Sequence, residues 1–338
     1  MITSQDVKQW GLSCGADLVG IGDINRFEGS PLQYDPRYIF PEAKSIIGLA
    51  FRVHRGLYRG IEEGTWFAGL PSMGYASIND VFAPMVLRQM GNMIEDQGYE
   101  AVLYPNTSVR LGSGQGKAVA PGLPKPDVFI HFRVAAYICG MGEIGWSKVF
   151  LTPKFGPRQR FAFILTDAAL EPDPMMKPGT LCDRCKRCCR ECPAQAISAT
   201  ESVRITVAGN VIEWGALDEQ KCAAVYQAGT PETSPFMPDA LAPKIRKLLA
   251  LPKGEERSQM LAYSGGAFNM AKTENPYCVK AWDSYHHPGT ICGARGCQRA
   301  CFIHLEERGK LENKFHAPFR IRKPWRLDAA PSAPPAAS

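Results

Sequence analysis

Cys182-Asp-Arg-Cys185-Lys-Arg-Cys188-Cys189-Arg-Glu-Cys192-Pro193 is the stretch on which the reading of this chain turns. Its spacing is C-x2-C-x2-C-x3-C-P. Three cysteines at x2 spacing let one short loop wrap a corner of a cubane iron–sulfur cluster. The fourth, ahead of a proline, serves a different cluster where the pattern occurs twice. A second half is therefore expected downstream. Cys292-x4-Cys297-x3-Cys301 supplies it, with Cys222 between the halves, so eight of the twelve cysteines fit two 4Fe–4S clusters.

Other uses of these cysteines fit less well. Zinc favours paired C-x2-C knuckles that close at four ligands, and a run of five cysteines suits that poorly. A disulfide framework belongs to an oxidising compartment and a small secreted domain. This chain has 338 residues, with no charged n-region or apolar h-region over Met1–Gly20. Cys14 and Cys139 lie in apolar, helix-like surroundings and read as buried thiols. Cys189 could replace its neighbour only by shifting the loop register. Cys278 is a spare candidate for the second cluster, less well placed than Cys222.

A net charge of +6 is too modest to imply nucleic acid by itself. No apolar run approaches the roughly 20 residues of a membrane span. No twin-arginine signal opens the chain. The expectation is a cytoplasmic protein with no membrane partner, its clusters safest under low oxygen. Arg320, Arg322, Lys323 and Arg326 crowd a C-terminal segment with Trp325, and the Ala/Pro/Ser-rich tail Ala329–Ser338 reads as disordered.

The organisation is α/β (α+β). Residues 1–175 read as one α/β domain, 176–310 as the cysteine domain with an insertion at about 230–275, and 311–338 as the basic, aromatic segment and tail. Ser4–Gly15 reads as a helix with Ser4 as N-cap. Asp17–Gly22 and Ser45–Phe51 read as short buried strands. Ile78–Gln97 reads as an amphipathic helix with Val81, Met85, Leu87, Met90 and Ile94 on its apolar face and Gly98 as its cap. Tyr99–Tyr104 and Arg160–Leu165 read as strands and Phe132–Cys139 as a helix, giving helices on a mixed sheet in two layers. Glu171–Gly179 carries three prolines and reads as a linker. Val203–Val207 and Val211–Trp214 flank Ala208-Gly209-Asn210, a hairpin signal. Leu241–Leu251 is a helical stretch in the insertion.

Gly140-Met141-Gly142-Glu143-Ile144-Gly145 spells G-x-G-x-x-G. A dinucleotide site would need a strand before these glycines and a helix starting within them. Here a helix precedes them, and Pro153, Gly156 and Pro157 leave little room for a crossover helix. The glycines instead suit a tight turn or the close approach of a flat ligand.

The stretch His131-Phe-Arg-Val-Ala-Ala-Tyr-Ile-Cys-Gly-Met-Gly-Glu-Ile-Gly145, followed by Leu151-Thr-Pro-Lys-Phe-Gly-Pro-Arg-Gln-Arg160, Leu165-Thr-Asp167 and the cysteine motif, resembles the corrinoid iron–sulfur reductases. That superfamily contains the reductive dehalogenases and epoxyqueuosine reductase. Gly15-Ala-Asp-Leu-Val-Gly20 and Phe40-Pro-Glu-Ala-Lys-Ser-Ile-Ile47 resemble its N-terminal strand patterns, and the resemblance covers about residues 10–305. It implies a cobalamin-binding domain of nitroreductase-like fold followed by a two-cluster ferredoxin-like domain. It assigns Cys182, Cys185, Cys188 and Cys301 to the cluster nearer the corrinoid, and Cys192, Cys222, Cys292 and Cys297 to the outer one. It implies that His131, Gly140, Met141, Gly142, Gly145, Trp146 and Phe150 bind the cofactor. Tyr104 with Arg160 would match the dehalogenase proton donor, and Asp127 the aspartate of epoxyqueuosine reductase.

The chain departs from that pattern in four respects. Cys292 and Cys297 are separated by x4 rather than x2, and Phe302 rather than proline follows Cys301. The leader of respiratory dehalogenases and the helical-repeat extension of many epoxyqueuosine reductases are not seen. The favoured reading is a cobalamin-dependent reductase of a small molecule, fed by an external low-potential donor of ferredoxin or flavodoxin type. The alternatives are an epoxyqueuosine reductase acting on tRNA, for which the basic C-terminal segment would be the contact, and a non-catalytic ferredoxin-like electron carrier. Phe315, Phe319 and Trp325 suit packing better than groove reading, so tRNA is not favoured.

Overall fold

Thr3 starts the first helix, α1 (Ser4–Ser13). Its side chain accepts the Asp6 N–H while the Asp6 carboxylate accepts the Thr3 N–H at 2.9 Å, a reciprocal capping pair. Ser4, expected to be the cap, instead donates its hydroxyl to the Glu171 carbonyl at 2.9 Å. Only Thr3 has an acidic partner three residues on. The computed structural model describes residues 2–106, 116–235, 237, 239–240, 242–257, 292, 296–319 and 327. Cys278 and the basic positions Arg320, Arg322, Lys323 and Arg326, with Trp325, lie outside the described residues.

After α1 come β1 (Leu18–Asp23), β2 (Ser45–Arg52), α2 (Arg59–Glu63) and α3 (Gly69–Pro71), which runs into a π-helical segment, Ser72–Phe82. Then follow α4 (Ala83–Glu95), β3 (Ala101–Tyr104), α5 (Phe132–Ile138), β4 (Glu143–Ile144), β5 (Phe150–Leu151) and β6 (Gln159–Thr166). The second half contributes α6 (Arg187–Arg190), the hairpin β7 (Ile197–Val207) and β8 (Asn210–Leu217), α7 (Glu219–Ala228), α8 (Ala242–Ala250) and α9 (Cys297–Glu307).

The main sheet has the order β1-β2-β6-β3 and is antiparallel throughout, not mixed. Parallel neighbours need a crossover of a dozen or more residues, usually helical. Here β1 and β2 are joined through 3₁₀ turns at Ile24–Phe27, Leu32–Tyr34 and Pro36–Tyr38, which simply reverse the chain. The sheet is covered on both faces, so there are three layers where two were expected. Ile47, Leu49, Phe51, Ala162 and Ile164 pack with Val7 of α1 and Val86, Leu87, Met90 and Ile94 of α4. Ile46, Ala50, Phe161, Phe163 and Leu165 face the other way, against Ala135, Ala136 and Ile138 of α5. Burial on both faces explains why Ser45–Phe51 reads as an unbroken apolar run rather than an alternation.

The helix expected over Ile78–Gln97 is two structures. Ordinary α-helical turns begin only at Ala83, and the wider i→i+5 turns before it put Val81 out of phase. Val81 and Met85, assigned to the apolar face, are exposed. The buried stripe is Val86, Leu87, Met90 and Ile94, and Gly98 (φ +80°) ends the run as expected. In the hairpin, Ala208 (φ +44°) and Gly209 (φ +78°) form the two-residue left-handed turn that such a strand pair favours. The helical stretch of the insertion is α8.

His131 is the N-cap of α5, its Nδ1 accepting the Val134 N–H at 3.3 Å. Burial first, then the charges of Arg133 and Lys148, pushes its pKa down to about 4. The cap therefore uses the neutral ring, since a protonated Nδ1 cannot accept.

Two outcomes are expected in urea unfolding. Met90→Ala should cost about 2–5 kcal/mol because the side chain is fully buried, whereas Met85→Ala should stay within about 0.5 kcal/mol. Equal losses would place the helix face wrongly. For His131, the folded pKa lies below the unfolded one, so stability falls as pH drops from about 6.5 towards about 4. His131→Asn keeps a capping side chain and should remove a slope worth about 3 kcal/mol across that window. An unchanged pH profile in the variant would rule His131 out as the source.

Candidate active site

Glu143, buried inside the glycine turn, accepts the backbone N–H groups of Gly179 at 2.5 Å, Cys182 at 2.8 Å and Leu181. This fixes where the cysteine loop begins. The loop then curls through two non-glycine residues in the left-handed region, Arg184 (φ +57°) and Lys186 (φ +59°), before α6. Such strained positions gather at functional sites. Peptide N–H groups point at sulfur: Trp146 at Cys182 Sγ, 3.3 Å, and Ala196 at Cys192 Sγ, 3.4 Å.

The two halves of the cysteine pattern meet between α6 and α9. Cys188 and Cys301 share a hydrogen bond, which draws Cys188 down to about 7 and pushes Cys301 up. The charge of Cys188 also bears on Cys182 and Cys185. Cys297, pushed up to about 12 by burial and then by Cys192 and Cys222, faces a second group. A side chain added at Gly296 would meet Pro193 at 3.3 Å and Cys292 Sγ at 3.5 Å, so Cys292 adjoins Cys192. Cys182, Cys185, Cys188 and Cys301 influence one another, as do Cys192, Cys222 and Cys297, and the two sets are continuous, since Cys188 also acts on Cys297 and Cys297 on Cys301. Cys189 also contacts Cys188, and its Sγ lies 3.6 Å from the Ser198 carbonyl. Cys139 is buried against the Ile46 carbonyl, and Cys14 is partly buried against Met93. Asp183 and His304 approach Cys185 closely enough to suggest a mixed metal site, but His304 Nε2 sits 2.8 Å from Asp183, which Arg308 also engages at 3.3 Å. A hydrogen bond between His304 and Asp183 and the Asp183–Arg308 ion pair account for the arrangement.

Beside these thiols lies a polar recess. Tyr58 and Tyr75 both donate to Gln298 Oε1 of α9 at 3.3 Å. The Arg160 guanidinium covers the Tyr75 ring at 4.6 Å and donates to Asn79 Oδ1 at 3.0 Å and Asn106 Oδ1 at 2.9 Å. Tyr75 and Asn79 come from the π-helical segment, an unusual structure that often marks a functional site. Arg133, in the first turn of α5, has an accessible side chain, yet burial and then Arg160 lower its pKa, while Cys297, Cys222 and Tyr75 oppose that.

The structure does not pair Tyr104 with Arg160. Tyr104 is opposite Phe163 in the ladder, and residues directly opposite share a face. Arg160 is three positions from Phe163, so it leaves the sheet on the other side. The Tyr104 hydroxyl is held by backbone instead, donating to Val128 O at 3.2 Å and accepting from Ile130 N at 3.1 Å. With Asp127 (φ +59°), Tyr38, Leu123 and Lys125 it lines a separate open cavity of about 480 Å³.

The glycine turn is filled by protein where side chains would point. A Cβ at Gly140 would meet Pro174 O at 2.6 Å, one at Gly142 would strike the Leu151 carbonyl, and one at Gly145 would meet Leu151 Cδ1 at 3.0 Å. Met141, Trp146 and Phe150 are buried. On that side the turn offers no open face to a flat ligand. Sequence reasoning missed Tyr58, Tyr75, Asn79, Arg133, Glu143 and Gln298. The acidic residue inside an apolar glycine turn was the one available signal among them.

No family model matches the chain. Over 68 residues, 20% of its length, the chain is 44% identical to a tetrachloroethene reductive dehalogenase of Desulfitobacterium hafniense, and the match spans only 12% of that protein. Among solved structures, the catabolic reductive dehalogenase NpRdhA aligns with 79% of this chain and 34% of its own, at 20% identity and a TM-score of 0.49. An epoxyqueuosine reductase bound to a modified tRNA-Tyr stem loop aligns with 90% of this chain and 82% of its own, at 16% identity and a TM-score of 0.46. A 68-residue stretch of the chain is thus similar to part of the reductive dehalogenases, and the match spans about an eighth of those relatives' length.

Proposed function

We propose that the chain is a cobalamin-dependent iron–sulfur reductase that acts on a small molecule. The observation that carries this reading is the gathering of the patterned thiols between α6 and α9, near the Tyr75 hydroxyl held by Gln298 of α9 and the Arg160 guanidinium over its ring. Buried sulfur atoms that receive peptide N–H groups suit the thiolates of 4Fe–4S clusters. In this proposal Cys182, Cys185, Cys188 and Cys301 hold one cluster, and Cys192, Cys222, Cys292 and Cys297 the other. Electrons enter from an external low-potential donor. Residues 1–175 supply the corrinoid site and residues 176–310 the relay.

In this reading His131, Arg133, Tyr75 and Arg160 would hold the polar groups of the corrinoid. When bound, a reduced corrinoid supplies the strong nucleophile and electron donor for the reaction. The chain's own residues hold and position. Replacing a carbon-bound halogen by hydrogen takes two electrons and one proton and releases halide. The tyrosine beside Arg160 is Tyr75, so Tyr75 rather than Tyr104 is the proton donor in this reading. Gln298 orients its hydroxyl, and Arg160 covers one face of its ring. Nothing among the described residues favours the tRNA reading, since the basic segment after Phe319 lies outside them.

Anaerobically prepared protein should contain about eight iron and eight sulfide per chain. Cys185→Ser should remove one half and Cys222→Ser the other. A stoichiometric zinc content with little iron would sink the proposal. Hydroxocobalamin should bind saturably with a spectral change, whereas tight flavin binding without corrinoid binding would move the reading to a flavin enzyme. With a panel of chlorinated phenols, Tyr75→Phe should lower turnover about 10²- to 10⁴-fold while cobalamin binding stays unchanged. If Tyr104→Phe shows that loss instead, the proton donor is misassigned.

A further inference from the structure

The Tyr137 hydroxyl is buried without a partner. The residue has 0% exposure, its oxygen makes no hydrogen bond among the described residues, and a phenol has no other polar atom. Buried hydroxyls are rarely left dry, because losing water without gaining a hydrogen bond is costly. An unpaired atom alone decides nothing, since Asp80, Arg158, Ser234, Arg257 and His304 each have one. Tyr137 differs in lining a cavity of about 20 Å³, whose wall also includes Glu143, Cys182, Arg184 and Glu213. A water molecule needs roughly 10–15 Å³ of such space and about two to four polar partners. The cavity has that room and little more. Gly179 and Arg184, which also line it, are exposed, so solvent has a way in past them.

The chemistry of the wall selects the occupant. A carboxylate accepts about four hydrogen bonds, and the N–H groups of Gly179, Leu181 and Cys182 supply three to Glu143. Acceptor capacity therefore remains in a cavity shared with a phenol that has to donate. Charge is already answered, because those N–H groups face Glu143 and Arg184 meets Glu213 at 2.7 Å. A cation is not called for. A small neutral molecule that both accepts and donates is.

We infer that the cavity binds one water molecule, which accepts a hydrogen bond from Tyr137 and donates one to the Glu143 carboxylate. The water completes the anchor at the start of the cysteine loop, and Tyr137 is a positioning residue within it. Cys182 lines the same cavity. One further step rests on the proposed reading: the cluster held by Cys182 has this water beside one of its sulfurs, where nearby donors and solvent help set its potential. A donor favours the more negative, reduced cluster, so losing it lowers the potential.

The test combines high-resolution crystallography of the full chain with urea unfolding of wild type and Tyr137→Phe. Wild type should show one density peak within about 3.2 Å of both Tyr137 Oη and a Glu143 carboxylate oxygen. Tyr137→Phe should lose that peak and unfold at lower urea, because a made hydrogen bond is removed. A hydroxyl that is truly unpaired gives the opposite sign, since its removal relieves a desolvation penalty. An empty cavity, or a variant at least as stable as wild type, overturns the water site. In anaerobic, iron-loaded protein Tyr137→Phe should also lower the midpoint potential of one cluster and leave the other unchanged. Unmoved potentials beside a confirmed water overturn the link to Cys182 and leave the site standing. Protein that shows the water but takes up no iron keeps the site and sinks the cluster reading instead.

Discussion

The structure depends on one buried carboxylate. Glu143 sits at 2% exposure in an apolar turn, where an ionised group is tolerated only if donors surround it. Gly179, Leu181 and Cys182 provide them through three backbone N–H groups, which would otherwise be orphans themselves. The arrangement ties a turn that follows α5 to the first residue of the cysteine loop. Three residues further on, Trp146 continues the tie: its backbone N–H points at Cys182 Sγ and its indole N–H reaches the Ser198 carbonyl at 2.9 Å. The turn, the loop and the β7–β8 hairpin are therefore positioned by one connected set of hydrogen bonds.

A shared apolar core does for the bulk what Glu143 does locally. Leu181, Phe302, Leu305 and Phe319 belong to the same cluster as Val7, Leu49 and Met90. The prolines of Glu171–Gly179 mark a change in chemistry, and the core passes through it. A buried ion pair adds registry, because Arg299 of α9 reaches Glu62 of α2 with two contacts of 2.7 and 2.8 Å. A pair of that kind is weak evidence for stability, but it holds α9 in one position against the N-terminal half.

Elements whose signal is local were legible in the sequence. The strand Ser45–Phe51, the helix starting at Phe132, the left-handed hairpin turn and the cysteine spacing each follow from a few adjacent residues. Relationships set by parity and phase were not. Tyr104 and Arg160 looked like partners by position, but a shift of three along an antiparallel ladder puts them on opposite faces. Tyr75 precedes the helix expected from Ile78, and Asn79 falls inside it with the wrong winding, because the segment carrying both is wound more loosely than an α-helix. The glycines of G-x-G-x-x-G announced close approach correctly, and only the coordinates show that Pro174 and Leu151 are what approach.

Cys188 and Cys192 are four residues apart, and so are Cys297 and Cys301. Cys188 meets Cys301 and Cys192 acts on Cys297, so the two segments run in opposite directions. Cys297 and Cys301 both lie in α9, where four residues rise about 6 Å, whereas Cys192 lies just beyond the end of α6. Under the proposed assignment each segment gives one ligand to each cluster, and the separation between the redox centres becomes a length set by backbone geometry. Side-chain substitution can alter the potential of either centre, but it cannot easily alter the gap an electron must tunnel across. A single inserted residue between Cys297 and Cys301 would do that, and would rotate one ligand by about 100° away from its cluster at the same time.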